Sequence, residues 1–365
     1  MKWNWEHKNW PNFQFKKEEI TKLEVEFIFN CGLVFGVYKH LEKPDQENLT
    51  IELIASEALQ TSAIEGEKLN HESLQSSIKR NFGLATNKQK IPAAEKGISD
   101  MMIDLYRNFD DKLSHSALFR WHEMLMSGRR DLSNIAKYRS HDEPMQIVSK
   151  RLDEEPEIHF EAPPSKKVKQ EMDEFIAWFN NSKTTTNPLT RAAIAHLYFV
   201  SIHPFEDGNG RIARALAIKA LSQSNKQPML TSLSTIIEKS RKKYYKALEE
   251  NNQSLEINGW IIYFAKTFLE SQNHTQKLIE FLLEKTRLYD RLKGKINERQ
   301  DKVLKRIFAE GLDGFKGGLS AENYIKITKT SRATATRDLQ DLVEMGALTK
   351  HGELKATRYF LKLNF

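Results

Sequence analysis

The stretch HPFEDGNGRIAR, residues 203–214, decides how the rest of the chain is interpreted. It places a histidine, two adjacent carboxylates, a Gly-Asn-Gly turn and two arginines within twelve residues, a mixture that packing alone does not require. Before it, the helical pattern of TRAAIAHLYFVSI ends at His203-Pro204, because the residue before a proline avoids the helical conformation. After it, ARALAIKAL continues as a helix. The stretch is therefore predicted to be a turn between two helices.

The turn has the composition of an anion-binding site. A glycine-rich turn that leads into a helix exposes backbone N–H groups, and the helix dipole strengthens their attraction for a phosphate. Arg211 and Arg214 share a face of the first helical turn and can reach the same anion. His203 suits a general base near neutral pH, and Glu206 or Asp207 would place Mg²⁺ beside the phosphates. The residues thus predict phosphoryl or nucleotidyl transfer.

The same stretch resembles the signature of the Fic family, H-P-F-x-D/E-G-N-G-R-x-x-R, and matches it at every defined position. Fic proteins are helical, and they commonly transfer AMP from ATP to a hydroxyl side chain of a target protein, releasing pyrophosphate. The resemblance implies a mainly α fold, a Fic-type helical bundle with a small β-hairpin flap. It also implies ATP as substrate, Mg²⁺ as cofactor, and a target protein with a Ser, Thr or Tyr hydroxyl. The protein itself is one candidate target.

The resemblance gives each residue of the turn a role. His203 becomes the general base that takes the hydroxyl proton. Asp207 becomes the Mg²⁺ ligand, which leaves Glu206 at the variable position. Asn209 is expected to add a side-chain donor to the anion hole. The residues that bind the phosphates are Gly208, Asn209 and Gly210 in the anion hole and Arg211 and Arg214 as clamps.

A second motif, TSAIEG at residues 61–66, is similar to the inhibitory motif of the family, Ser/Thr-x-x-x-Glu-Asn/Gly. SEALQTSAI has the pattern of a helix, and its end places Glu65 where it could pair with a buried arginine. In the family that arginine is the second of the signature, here Arg214. A Glu65–Arg214 pair would deny ATP its γ-phosphate contact. The alternative is an exposed glutamate before a helix-ending glycine.

Two further stretches extend the resemblance. MQIVS and EIHFEAPP flank the charged segment KRLDEEP and predict a hairpin, which resembles the family's flap that pins the target by strand addition. Ile147 and Val148 would make those contacts. KKYYKALEENNQS resembles the segment that lines the adenine pocket, with Tyr244, Tyr245 and Asn252 at its aromatic and amide positions. Aromatic residues at helical spacing are more often core, so at least one tyrosine could simply be buried.

Composition narrows the class of protein and the cellular compartment. The chain has 365 residues, 39% hydrophobic and 29% charged, as in ordinary soluble proteins. Its single cysteine, Cys31, excludes an internal disulfide and favours a reducing compartment; it lies in an apolar run and is expected to be buried. The sequence lacks a signal peptide and an apolar run of ~18 residues, and we expect a cytoplasmic protein with no membrane partner. The aromatic N-terminus, WNWEHKNWPNFQF, is expected to pack on the body or at a dimer contact.

The C-terminal part differs in charge. Residues 285–365 hold 18 Lys and Arg against 10 Asp and Glu, whereas the whole chain has a net charge of +7. Two helices joined by a short turn, the second starting near Ser331, are followed by two predicted strands, and the pattern resembles a winged helix-turn-helix. The exposed face of that second helix would carry Arg332, Thr334, Thr336 and Arg337, and its core face Leu339, Leu342 and Val343. DNA is a partner that this pattern leaves open.

These patterns predict three regions and leave the function with alternatives. The regions are an N-terminal helical region (1–110), a Fic catalytic core (111–284), and a linker helix with the winged helix-turn-helix (285–365). A self-inhibited protein adenylyltransferase is the first hypothesis. The others are a DNA-binding regulator whose Fic body senses nucleotide, or a Fic enzyme with another chemistry, such as AMP removal, UMP or phosphocholine transfer, or phosphorylation. A homodimer is also left open.

Overall fold

A computed structural model describes residues 2–84, 90–149 and 157–363 of the chain. Within those ranges the regular structure is mainly helical, as the sequence predicted. The first seven helices are α1 (Lys17–Lys39), α2 (Lys43–Ile64), α3 (His71–Asn81), α4 (Ala93–Arg107), α5 (His115–Leu125), α6 (Ser165–Asn181) and α7 (Pro188–Ile202). They are followed by α8 (Asn209–Asn225), α9 (Leu233–Lys239), α10 (Arg241–Glu249), α11 (Asn258–Leu292), α12 (Glu298–Phe308), α13 (Ala321–Thr328) and α14 (Arg332–Glu344).

Two small antiparallel hairpins complete the described structure. The first pairs β1 (Gln146–Ser149) with β2 (Glu157–Glu161), and its register shifts between Ile147 and Val148. It confirms the predicted hairpin; the charged segment 150–156 between the strands lies outside the described residues. The second pairs β3 (Leu348–His351) with β4 (Arg358–Leu361).

The chain divides into two compact units, residues 1–273 and 274–365, and the division falls within α11. The three regions that we predicted from the sequence, with boundaries after residues 110 and 284, stay a prediction. Among the described helices, none is long and apolar enough to span a bilayer.

Helix α7 lies at the centre of the first unit, because nearly all of its side chains are buried whichever way they point. It packs along α8. Its N-terminus is capped from another helix: the buried Glu24 of α1 accepts hydrogen bonds from the backbone N–H groups of Leu189 and Thr190, at 3.0 and 2.9 Å, and from the Thr190 hydroxyl. Both ends of α7 are thus fixed, the N-terminal one by Glu24 and the C-terminal one by the turn at His203.

The aromatic N-terminus packs on the body, which was one of its two expected roles. The Trp3 ring meets Phe160 of β2 edge-on, with centroids 5.4 Å apart. The Trp5 indole donates to the carbonyl of Glu161 at 2.7 Å. Trp10 packs edge-on against Tyr198 of α7. These contacts hold the end of the first hairpin against the helical body.

The second unit has a core of its own, in which Leu339 and Leu342 of α14 are fully buried and Val343 is partly buried. Ser331 caps α14 by accepting from the backbone N–H of Thr334, so the helix starts where the sequence predicted. Arg332, Thr336 and Arg337 are exposed and Thr334 is half-buried. The order of two helices and a hairpin agrees with the predicted one, while its assignment as a winged helix and its contact with DNA stay predictions.

Replacing Glu24 with alanine should destabilise the first unit, because three buried donors at the start of α7 lose their acceptor. We expect a loss of about 1–3 kcal/mol in the free energy of unfolding, measured by urea denaturation. Glu18→Ala, at an exposed position of the same helix, is the matched control and should change stability by less than about 0.5 kcal/mol. Equal effects of the two variants would contradict the capping role.

Candidate active site

His203 occupies a strained position at the end of α7. Its backbone is left-handed, with φ 49° and ψ 59°, a conformation that costs free energy for a residue other than glycine and persists only where the surroundings enforce it. His203 borders a cavity of about 580 Å³. The position of the candidate base is therefore set by the backbone.

Arg139 enforces this backbone. Its side chain is buried, and it donates to the carbonyl of His203 at 2.8 Å and to that of Ile202 at 3.3 Å, while its own backbone N–H donates to the carbonyl of Pro204. It also donates to the carbonyl of Pro163, which follows the first hairpin. The guanidinium thus connects two consecutive carbonyls of the turn with the end of the hairpin, and the backbone N–H of the same residue holds a third. Sequence analysis missed Arg139, since an isolated arginine carries no local signal.

The tautomer of His203 leaves a nitrogen free to act as a base. Nδ1 lies 3.3 Å from the carbonyl oxygen of Val200, which can only accept, so Nδ1 carries the proton and Nε2 has the free lone pair. Burial, followed by the charge of Arg139, lowers the pKa of His203 to about 4. The imidazole is then neutral at physiological pH, the form that a general base requires.

The Gly208–Gly210 turn closes tightly at the start of α8. Gly208 has φ +83°, and a Cβ on Gly210 would lie 2.2 Å from Oε1 of Glu65, so neither position accepts a larger residue in this structure. The Asn209 side chain corrects one expectation. Its amide accepts from the backbone N–H of Phe205 at 3.0 Å and donates to the carbonyl of Phe205 at 2.8 Å, so it braces the turn and is not aimed at an anion.

Both arginines of the turn are buried and ion-paired. Arg214, with 1% of its side chain exposed, donates to Glu65 at 2.8 Å and also to the hydroxyl and carbonyl of Thr61. Arg211 pairs with Glu67 at 2.7 Å and with Asp207 at 3.2 Å. Nη1 of Arg214 and Nε of Arg211 have no hydrogen-bond partner among the described residues. Each buried guanidinium therefore keeps a donor to offer an anion.

Glu65 lies where the sequence placed it, just after the last residue of α2. Its carboxylate is 28% exposed, borders the cavity and is paired with Arg214. The geometric part of the expectation, an ion pair between these two side chains, is present in the structure. Its inhibitory role stays a prediction.

The two acidic residues of the turn, Glu206 and Asp207, have different partners and therefore different roles. Glu206 faces residues 133 and 134, whose backbone N–H groups donate to it at 3.0 and 3.4 Å, so it secures a neighbouring loop. Asp207 pairs with Arg129 at 2.7 Å and with Arg211. Burial would raise the pKa of Asp207, but Arg211 and Arg129 outweigh burial and keep that pKa below its usual value. Sequence analysis did not identify Arg129.

The Asp207 carboxylate could hold Mg²⁺ only if a substrate supplied further ligands. Within the described ranges, no group of three or more His, Cys, Asp and Glu side chains converges on a metal position. Mg²⁺ is commonly held by one or two carboxylates plus substrate phosphates and water. A single ionised carboxylate beside a glycine-rich turn at a helix N-terminus meets that description.

The first hairpin and α10 line the cavity together with His203. Both predicted flap residues and all three predicted adenine-pocket residues are among the lining residues. Ile147 and Val148 are about half exposed. Tyr244 is buried, and its hydroxyl bonds to His196, so it is the core tyrosine that the sequence left open. Tyr245 is 43% exposed. Asn252 donates to the carbonyl of His159 in β2, which connects this wall to the hairpin.

The comparison with known families now identifies the central part. Residues 112–221 match the model of the Fic/DOC family. The chain contains a Fic domain. Residues 3–84, which include α1, α2 and Glu65, match a domain of unknown function, DUF4172.

The Fic domain also has named relatives. It is similar to the protein adenylyltransferase fic-1 of Caenorhabditis elegans, with 35% identity over 100 residues, and to the protein adenylyltransferase Fic of Drosophila melanogaster, with 37% identity over 95 residues. The alignments cover 27% and 26% of this chain but only 18% of each relative, so the chain matches less than a fifth of the length of these relatives.

Solved structures agree on the fold. A Fic family protein from Desulfovibrio desulfuricans G20 superposes with a TM-score of 0.54 and 20% identity, over 96% of this chain and 98% of that one. Fic-1 from C. elegans gives a TM-score of 0.50 and 22% identity over 72% of this chain and 74% of that fragment. The Fic-type helical fold is therefore shown by sequence and by structure.

Replacing Arg139 with methionine should loosen the turn that carries His203. The carbonyls of Ile202, His203 and Pro163 lose a charged donor, and we expect a loss of about 2–4 kcal/mol in the free energy of unfolding, measured by denaturation. Arg130→Met, at an exposed position nearby, is the control and should leave stability almost unchanged. A stable Arg139→Met protein would show that the turn holds its shape without this cation.

His203 should stay neutral throughout the pH range in which an unperturbed histidine side chain takes up its proton. Its pKa of about 4 predicts that its imidazole signals in NMR spectra do not shift until the solution is more acidic than pH 5. His203→Ala assigns the signals by their disappearance. Titration of His203 near pH 6.5 would contradict the desolvated environment described above.

Proposed function

We propose that this protein is a protein adenylyltransferase, which transfers AMP from ATP to a hydroxyl group of a protein, and that Glu65 inhibits it. The observation that carries the proposal is the position of His203, whose free Nε2 belongs to a neutral imidazole bordering the same cavity as Tyr245, Asn252 and Gly210. The adenylyltransferase names of the matched relatives support the same activity.

ATP would lie along the cavity with its base between Tyr245 and Asn252 and its phosphates at the N-terminus of α8. The backbone N–H groups of the Gly208–Gly210 turn, together with Arg211 and Arg214, would bind the phosphates. Asp207 would hold Mg²⁺, which would neutralise phosphate charge when bound. The hairpin would fix the target segment beside Ile147 and Val148 by strand addition.

The chemical step needs one base and one leaving group. His203 Nε2 takes the proton from the target hydroxyl while the hydroxyl oxygen attacks the α-phosphorus of ATP. The bond between the α-phosphorus and the bridging oxygen breaks, and pyrophosphate leaves with that electron pair. The turn and the two arginines stabilise the charge that develops on the phosphates. The products are the AMP-modified hydroxyl and pyrophosphate.

Inhibition would follow from competition for Arg214. In the structure, the Glu65 carboxylate occupies this guanidinium and lies against Gly210 in the anion turn. A triphosphate must either displace that carboxylate or bind beside it, where two anions repel each other in a partly buried site. ATP is then held without the contact that aligns its α-phosphate for attack.

The alternatives have less support. An intact Gly-Asn-Gly turn with both arginines favours a triphosphate donor over AMP removal or phosphocholine transfer. The cytoplasmic location and the DNA-binding regulator stay predictions from the sequence.

Replacing Glu65 with glycine should raise AMP transfer. Release of Arg214 should increase the initial rate of labelled AMP incorporation by about 5- to 150-fold, the range typical of energetic coupling between competing ligands. Glu65→Gln, which keeps the shape and removes the charge, should give a smaller increase.

The double variant Glu65→Gly/His203→Ala provides the chemical control, and its incorporation should return to background while ATP still binds by calorimetry. Equal or lower incorporation by Glu65→Gly than by the unmodified protein would refute inhibition by Glu65 and leave the active-site assignment standing. Full incorporation by the double variant would refute the role of His203.

A further inference from the structure

Helix α1 is apolar on two opposite faces. One face carries Ile20, Phe27 and Cys31 and is buried in the first unit. The other face is exposed, and it carries five of the eleven exposed large hydrophobic side chains among the described residues: Val25, Ile28, Phe29, Leu33 and Val37. A wide apolar face of a helix is normally covered, and among the described residues none covers this second face.

The exposed face has a gap at its centre. Gly32 and Gly36 lie one helical turn apart between the large side chains, and a Cβ at either position would meet nothing within 4 Å. Glycine lowers helix stability, and these two positions need no left-handed backbone. We call the five large side chains together with the two glycines the α1 face.

We propose that the α1 face is the contact between two copies of this chain, packed with their α1 helices antiparallel about a two-fold axis. The spacing supports this arrangement. The midpoint between Phe29 and Gly36 falls within the face, between Gly32 and Leu33, so an antiparallel partner whose two-fold axis passes there brings each Phe29 over Gly36 of the second copy. The same patch supplies both the protruding ring and the gap, as an isologous interface requires.

Charge and area agree with a second copy. Near a two-fold axis, each charged side chain would lie close to the same side chain of the second copy, and the two would repel each other. Between Val25 and Val37 the centre of the α1 face has no charged residue, and Glu26 lies at its edge. The five residues are 42–65% exposed and leave on the order of 400–500 Å² of apolar surface open, since four of them are aliphatic and reach only the low end, roughly 150 Å², of the range for aromatic side chains. Two copies would cover about 800–1,000 Å², which is the range of weak interfaces, so we infer a weak, reversible dimer.

Sedimentation equilibrium of the full chain tests this over a wide range of concentration. The expected mass rises from 42.4 kDa towards twice that value. Phe29→Glu should raise the dissociation constant at least about tenfold, as expected for a central aromatic contact. Leu354→Glu is the matched control, because Leu354 is 94% exposed and lies outside the α1 face; this variant should associate like the unmodified chain.

Gly36→Leu separates association from folding. The added side chain has open space in the single chain and improves helix propensity, so the melting temperature measured at low concentration should rise. The same side chain fills the space for Phe29 of the second copy, so dimerisation should weaken. A chain that stays at 42.4 kDa at every concentration would overturn the proposal, as would equal association by Phe29→Glu. Phe29-dependent binding of a monomer to anionic lipid vesicles would also overturn it, in favour of a membrane surface.

Discussion

The buried guanidinium of Arg214 is the constraint on which the site depends. A cation with 1% of its side chain exposed must have acceptors, because an unpaired charge in this environment would cost several kcal/mol. Thr61 and Glu65 at the end of α2 supply them in the structure. In the function that we propose, the phosphates of a nucleotide would supply an anion to the same guanidinium. Inhibition and substrate binding would then depend on one physical requirement, because only one of the two anions can satisfy it fully.

The candidate base is positioned by backbone contacts that lie outside the motif. The left-handed conformation of His203 costs free energy, which is offset by Arg139 and by the packing of the buried α7. Asn209 closes the following turn on Phe205. Because these side chains are buried and hydrogen-bonded to the backbone, they fix the imidazole and the Gly208–Gly210 turn relative to one another. Catalysis by pre-arranged groups needs this kind of rigidity.

Sequence reasoning predicted the local features and missed the distant ones. The helical pattern gave the end of α7 at Ile202, and the signature located the turn that starts at His203 and leads into α8 at Asn209, because both are properties of neighbouring residues. The ion pair of Glu65 with Arg214 could be anticipated only through the family motif. Arg139 and Arg129 contact residues more than sixty positions away, and the hydrophobic periodicity of a sequence gives no information about such contacts. The side chain of Asn209 was wrongly expected to face the anion, since sequence shows the amide but not its partners.

Intact-protein mass spectrometry is the most direct test of the central claim. The Glu65→Gly chain would be incubated with one nucleoside triphosphate at a time, always in the presence of Mg²⁺. The account predicts a mass gain equal to AMP with ATP, abolished when His203→Ala is added. A gain equal to phosphate or to UMP, or no gain with any nucleotide in the presence of a known acceptor hydroxyl, would contradict it.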